Sequence, residues 1–137
     1  MVNEDVKELW LNALRSGKYE QGTMKLAQEL YDGTREYCCL GVLCDLAVKN
    51  GVCNVKWVHG TAYYGTEEEF ANEKASENTL PKSVQEWIGV NSDNIRVSKK
   101  INSFDDEDEF EDVMVSELND EYGYSFDRIA RLIKEQL

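Results

Sequence analysis

The sequence predicts an α+β fold: a buried central helix, amphipathic helices packed around it, and a small antiparallel β-sheet. Three observations point there. The run Tyr37-Cys38-Cys39-Leu40-Gly41-Val42-Leu43-Cys44-Asp45-Leu46-Ala47 carries one charge, Asp45, in a chain where 31% of residues are charged. A stretch that is apolar nearly all round belongs in a core. Helical apolar faces recur at both ends of the chain, and two strand-like runs flank His59-Gly60. At 137 residues the chain suits one domain, residues 1–137, long enough to bury a continuous core.

Asn3 is placed to cap a first helix, with Glu4 and Asp5 in its electropositive first turn. Val6, Leu9, Trp10, Ala13 and Leu14 repeat at helical spacing, and Gly17 ends the run. Next, Arg15-Ser16-Gly17-Lys18-Tyr19-Glu20-Gln21-Gly22 crowds hydrogen-bonding groups into a bend. Such a bend suits an anion such as a phosphate, or it is a helix C-cap whose cations complement the dipole. From Thr23 to Arg35 the pattern is ambiguous. Leu26, Ala27 and Leu30 suggest a short helical turn, and Asp32-Gly33 a turn before the apolar helix.

That helix is expected from about Cys39 to Asn50, stopped by Gly51 in the left-handed conformation. Gly41, Asp45 and Lys49 share one strip, the only one that need not be apolar, and Asp45 and Lys49 form an acid-before-base pair on it. Val52 to Val58, with Cys53, Val55 and Trp57 on one face, and Thr61 to Tyr64 make a hairpin around His59-Gly60. Glu67 to Asn78 is polar and reads as an exposed loop or frayed helix.

Pro81 suits the first turn of a helix bearing Val84, Trp87 and Ile88 and ended by Gly89. Ile95 to Ser98 is a candidate third strand. The acids Asp105 to Glu109, with Glu111 and Asp112, would sit at the N-terminus of a helix whose face is Phe110, Val113, Met114 and Leu118. Glycine and alternating oxygen ligands are missing from this run, so it is no EF-hand calcium loop. Leu118-Asn119-Asp120 to Phe126 forms the second polar bend. Gly123 ends one helix there, and Ser125 caps the last, with Phe126, Ile129, Ala130, Ile133 and Leu137 as its apolar face.

Composition bounds the function. Fifteen basic against twenty-seven acidic residues give a net charge of −12, which disfavours general nucleic-acid binding. Such a surface would suit a basic protein partner. No window reaches the roughly 18 apolar residues of a membrane span, and the N-terminus lacks the pattern of a secretory signal. Cys38, Cys39, Cys44 and Cys53 with the sole histidine, His59, match no zinc spacing. No metal or other cofactor is expected, and buried reduced thiols are the simplest role for the cysteines.

Four blocks, taken together, carry a resemblance. They are Ala13 to Tyr19 with Gln21; Tyr37 to Ala47; Leu80-Pro81 with Val84 and Trp87; and Leu118-Asn119-Asp120 with Gly123, Ser125, Phe126, Ile129 and Ala130. The set resembles a family of small proteins encoded by bacteriophages and prophages. The resemblance implies a viral accessory protein in the cytoplasm of a bacterial host and transfers no catalytic role. The acidic run lies outside these blocks.

Three functions compete. One is a non-enzymatic protein that sequesters a nucleotide-derived host immune signal. Arg15, Ser16, Lys18, Tyr19 and Gln21 would form the phosphate cradle, Tyr37 an aromatic face, and Asn119, Asp120 and Ser125 the polar readers. The second is an acidic inhibitor of a host or defence protein, acting through Asp105 to Asp112. The third is a thiol enzyme using Cys38 or Cys39 with His59 as base.

Overall fold

A computed structural model describes residues 2–100 and 110–137. It is an α+β structure with six helices, a five-stranded mixed sheet and a separate two-stranded antiparallel ribbon among the described residues.

Helix α1, Glu4–Arg15, starts where its cap predicts: the Asn3 side chain accepts from the amides of Asp5 and Val6 at 3.1 and 3.3 Å. Trp10, Leu11 and Leu14 are buried, whereas Leu9 is exposed. Lys7 takes a buried position instead, and its ammonium donates to the carbonyls of Lys134 and Leu137 at the end of the last helix. A cation there satisfies carbonyls that have no partner in their own helix.

Helix α2, Cys39–Lys49, buries Cys39, Leu40, Gly41, Val42, Leu43, Cys44 and Ala47. It packs against α1, the strand before it and two later helices. The Asp45–Lys49 pair closes at 3.1 Å. Gly41 is needed for a reason its place on the polar strip did not suggest. A Cβ there would lie 1.7 Å from the Leu26 carbonyl oxygen, so the helix backbone runs hard against the chain at Leu26.

The five-stranded sheet runs β1 (Glu20–Gln21), β3 (Arg35–Tyr37), β2 (Ala27–Glu29), β5 (Thr61–Gly65), β4 (Asn54–Val58). β1 and β3 are parallel and the other pairs antiparallel. The β4–β5 hairpin forms as expected, with Val58 opposite Thr61 and both His59 and Gly60 at positive φ, the conformation a two-residue hairpin turn requires. Cys53 precedes β4 instead of joining it. The helical turn expected at Leu26, Ala27 and Leu30 is corrected. Leu26 and Ala27 are buried; Ala27, Gln28 and Glu29 are extended because they pair with β3, and Leu26, in the bend just before them, bonds to Glu77 and Cys38.

Residues 67–78 are more ordered than their polarity suggested. Helix α3, Glu67–Ala71, has a capping box between Thr66 and Glu69. Glu69 also accepts from the Ser83 hydroxyl at 2.6 Å and the Ser83 amide at 3.2 Å, at the start of helix α4, Lys82–Ile88. Burial alone would raise its pKa, but the hydrogen bonds from Ser83 and Thr66 outweigh that and hold it below the ordinary carboxylate value.

The candidate strand at Ile95 becomes β6, Arg96–Lys100, and pairs with β7, Phe110–Met114, instead of joining the hairpin's sheet. This corrects the helix expected from Phe110. Ladder pairing claims Phe110 to Met114, only Val113 of them is buried, and helix α5 starts at Val115 and runs to Asp120. Glu111 and Asp112 therefore lie on a strand; Asp105 to Glu109 fall outside the described residues. Helix α6, Phe126–Gln136, is capped by Ser125 and packs on α1, α5 and β6.

Candidate ligand-binding site

The two polar bends meet. Gln21 at the end of β1 directs its side-chain amide at α5, where Nε2 donates to Asn119 Oδ1 at 2.8 Å and to the Tyr124 carbonyl at 2.8 Å. Asn119 Nδ2 in turn donates to the Gly22 carbonyl and to Asp120 Oδ1, each at 2.8 Å, and Asp120 Oδ1 also accepts from the Met24 amide at 3.0 Å. Asn119 is only 2% exposed. Its amide group is saturated by the protein, as a buried polar group must be. The geometry therefore gives Gln21, Asn119 and Asp120 the work of joining the bends.

The remaining predicted residues divide into three groups. Tyr19 and Tyr37 come together with ring centroids 5.0 Å apart, edge to face. The Tyr19 hydroxyl donates to Asp45 Oδ2 at 2.5 Å and accepts from Lys49 Nζ at 3.2 Å. Burial, then the bond to Asp45, pushes the Tyr19 phenol up to about 12. Ser16 caps α1, donating to the Ala13 carbonyl and accepting from the Lys18 amide, and Ser125 accepts from the Arg128 amide. Arg15 and Lys18 are exposed and form no ion pair among the described residues. The cap alternative accounts for this bend: Arg15 sits in the last turn of α1 and Ser16 is its C-cap.

The second bend borders a hollow that the sequence did not reveal. Tyr124, whose carbonyl receives the Gln21 amide, stacks under Arg128, with the guanidinium carbon 3.7 Å from the ring centroid. Both line a recess of about 280 Å³ between the β6–β7 ribbon and α6, together with Lys99, Phe110, Arg131 and Glu135. Gln136 fixes one wall, its side-chain amide receiving the Ser98 amide at 2.6 Å and donating to the Ser98 carbonyl at 2.9 Å. Lys99 is committed to Glu111 at 3.1 Å. Arg128 and Arg131 have no carboxylate partner among the described residues. Their i, i+3 spacing on α6 was visible in the sequence. Their convergence with β6 was not.

A family model described as a domain of unknown function, DUF8296, matches residues 2–137. The chain belongs to this family. No curated protein and no solved structure matches it. The DUF8296 match spans both bends, α2 and the basic recess.

A larger hollow of about 510 Å³ lies at the far end of the sheet, lined by Glu29, Leu30, Tyr31, Trp57, His59 and Gly60. Arg35, which contacts two of these residues, is already stacked on Trp57 at 4.2 Å and paired with Glu29 at 3.4 Å, so it offers less to an anion. The thiol pair of the enzyme alternative is poorly placed for chemistry. All four cysteines are buried, and burial pushes Cys38 up to about 11 and Cys39 well above its ordinary value. A reactive cysteine needs the opposite shift. His59 sits in the exposed hairpin turn.

Proposed function

We propose that this protein is a non-enzymatic binder that sequesters a nucleotide-derived signal, as an accessory protein of a bacteriophage in the cytoplasm of a bacterial host. In this proposal α2 is the central rod that carries the two polar bends to one side of the molecule. The observation that supports it is the Gln21 amide bonded to both Asn119 and Tyr124. That link sets the first bend against the second, which carries Tyr124, and at the recess beside them Tyr124, Arg128 and Arg131 meet Lys99 and Phe110 of the ribbon. Few placed polar groups beside an aromatic wall are the ordinary composition of a small-ligand site. The net charge of −12 favours a small anion over a long polyanion. Beyond a Debye length of about 8 Å the protein's own field is screened, and within it a compact ligand meets only the local cations.

The test is a thermal-shift and retention assay of the purified protein against cyclic, linear and ADP-ribose-type nucleotides. A ligand raises the melting temperature, because binding to the folded state alone stabilises it. No shift and no retained nucleotide across the panel would remove the proposal.

A further inference from the structure

We infer that the recess between the β6–β7 ribbon and α6 seats a phosphorylated ring compound of mononucleotide size, with Arg128 and Arg131 taking the phosphate and Tyr124 and Phe110 walling the ring. This inference rests on the binding reading above and gives it a place and a ligand class.

Charge supplies the first reason. Among the described residues, four cations, Lys99, Lys100, Arg128 and Arg131, line the recess against one acid, Glu135, in a protein with a net charge of −12. Discounting Lys99, which Glu111 neutralises, and setting Lys100 aside, two guanidinium groups remain without a carboxylate partner among the described residues. Both are solvent-facing residues of the first two turns of α6. Guanidinium forks match the oxygens of a phosphate and bind it bidentately, which a lysine does not.

The walls supply the second. Arg128 already lies over the Tyr124 ring, its guanidinium carbon 3.7 Å from the centroid, and so is positioned by an aromatic face before any ligand arrives. Guanidinium planes and aromatic rings are both surfaces on which bases stack. Phe110 is 56% exposed although it lines the same recess. A flat ring would cover apolar surface that the fold itself leaves wet.

Size supplies the third. A volume of about 280 Å³ lies just below the roughly 300 Å³ at which small-molecule sites begin. One phosphorylated ring fits that scale better than a large cyclic oligonucleotide.

The experiment titrates the full-length protein with ADP, adenosine and inorganic pyrophosphate by calorimetry, and repeats each titration on Arg128→Gln, Arg131→Gln and Lys18→Gln. Because these three side chains are exposed, the variants keep the wild-type melting curve. ADP is expected to bind, and adenosine to bind about tenfold more weakly or not at all. Each α6 variant should lose about tenfold in ADP affinity, the scale of one charge-assisted bond. Lys18→Gln should bind ADP like wild type. ADP binding that survives both arginine changes but fails in Lys18→Gln overturns this site and leaves the binding reading standing. Pyrophosphate binding that needs Arg131, with no nucleotide bound from any source, keeps the anion contact and overturns the ring and the nucleotide reading together. Failure of every probe and every panel nucleotide to bind removes both.

Discussion

Gln21 Nε2 lies 2.8 Å from Asn119 Oδ1, a bond between side chains 98 positions apart in the chain. It ties the end of β1 to α5, and its second branch, to the Tyr124 carbonyl, fixes the chain just before α6. The junction reaches the basic recess through Tyr124, although neither amide lines it. In this molecule the polar bends act as a hinge pin for the surface beside them.

The junction predicts a stability effect. Asn119→Ala removes the partners of Gln21 and of the Gly22 carbonyl, and nearly full burial leaves no water to replace them. The expected loss is about 2–3 kcal/mol, or a fall in melting temperature of about 3–4 °C for each kcal/mol in a domain of this size. Urea unfolding of wild type and variant measures it. An Asn119→Ala protein as stable as wild type would show that the junction holds nothing.

Gly41 makes a sharper claim. Adding a Cβ there would bring it within 1.7 Å of the Leu26 carbonyl oxygen and 2.5 Å of the carbonyl carbon. The obstacle is backbone, itself held by hydrogen bonds from the Cys38 amide and to the Glu77 carbonyl, so it cannot yield as a flexible side chain would. Gly41→Ala should cost well over 3 kcal/mol, at the overpacking extreme, and give a chain without a cooperative melting transition. Gly33→Ala meets nothing within 4 Å. It should cost only the strain of a positive φ, roughly 1 kcal/mol. Equal behaviour of the two variants in a thermal melt would contradict the close approach.

The thiols give a pH dependence. Cys38 is pushed up to about 11 and Cys53 to about 12, both by burial first, with Cys39 and Cys44 raised well above the ordinary 9.0. The folded state therefore keeps its thiol protons when the unfolded chain has lost them. The stability tied to these protons is fully present below pH 9 and falls as pH rises from about 9 through 11 and 12. At pH 8, iodoacetamide should label none of the four cysteines in the folded protein and all four in guanidinium. Rapid native labelling of Cys38 or Cys39 would revive the thiol-enzyme alternative.

Elements whose signals close within a few residues were legible in the sequence. Asn3 above Val6 to Leu14, the almost chargeless run ending at Gly51, and Ser125 above Phe126 to Ile133 each locate a helix, because capping and the 3.6-residue period are local. His59-Gly60 located a hairpin for the same reason. Extended pairing was the weak point. Ala27 to Glu29 and Phe110 to Met114 lie in stretches whose apolar spacings a helix would also accept. Their strand form comes from partners, β3 and β5 for one and β6 for the other.

Composition and pattern by themselves determined the α+β class, the helices at either end, the buried cysteines and the acidic surface. Only the tertiary structure decided that Gln21 and Asn119 spend their hydrogen bonds on each other, and that Arg128, Arg131 and Tyr124 face the β6–β7 ribbon. The reason is one of range. Burial and helix capping are set by a residue and its near neighbours, whereas the partner of a side-chain amide or guanidinium is set by whichever distant surface the packed core brings within 3 Å.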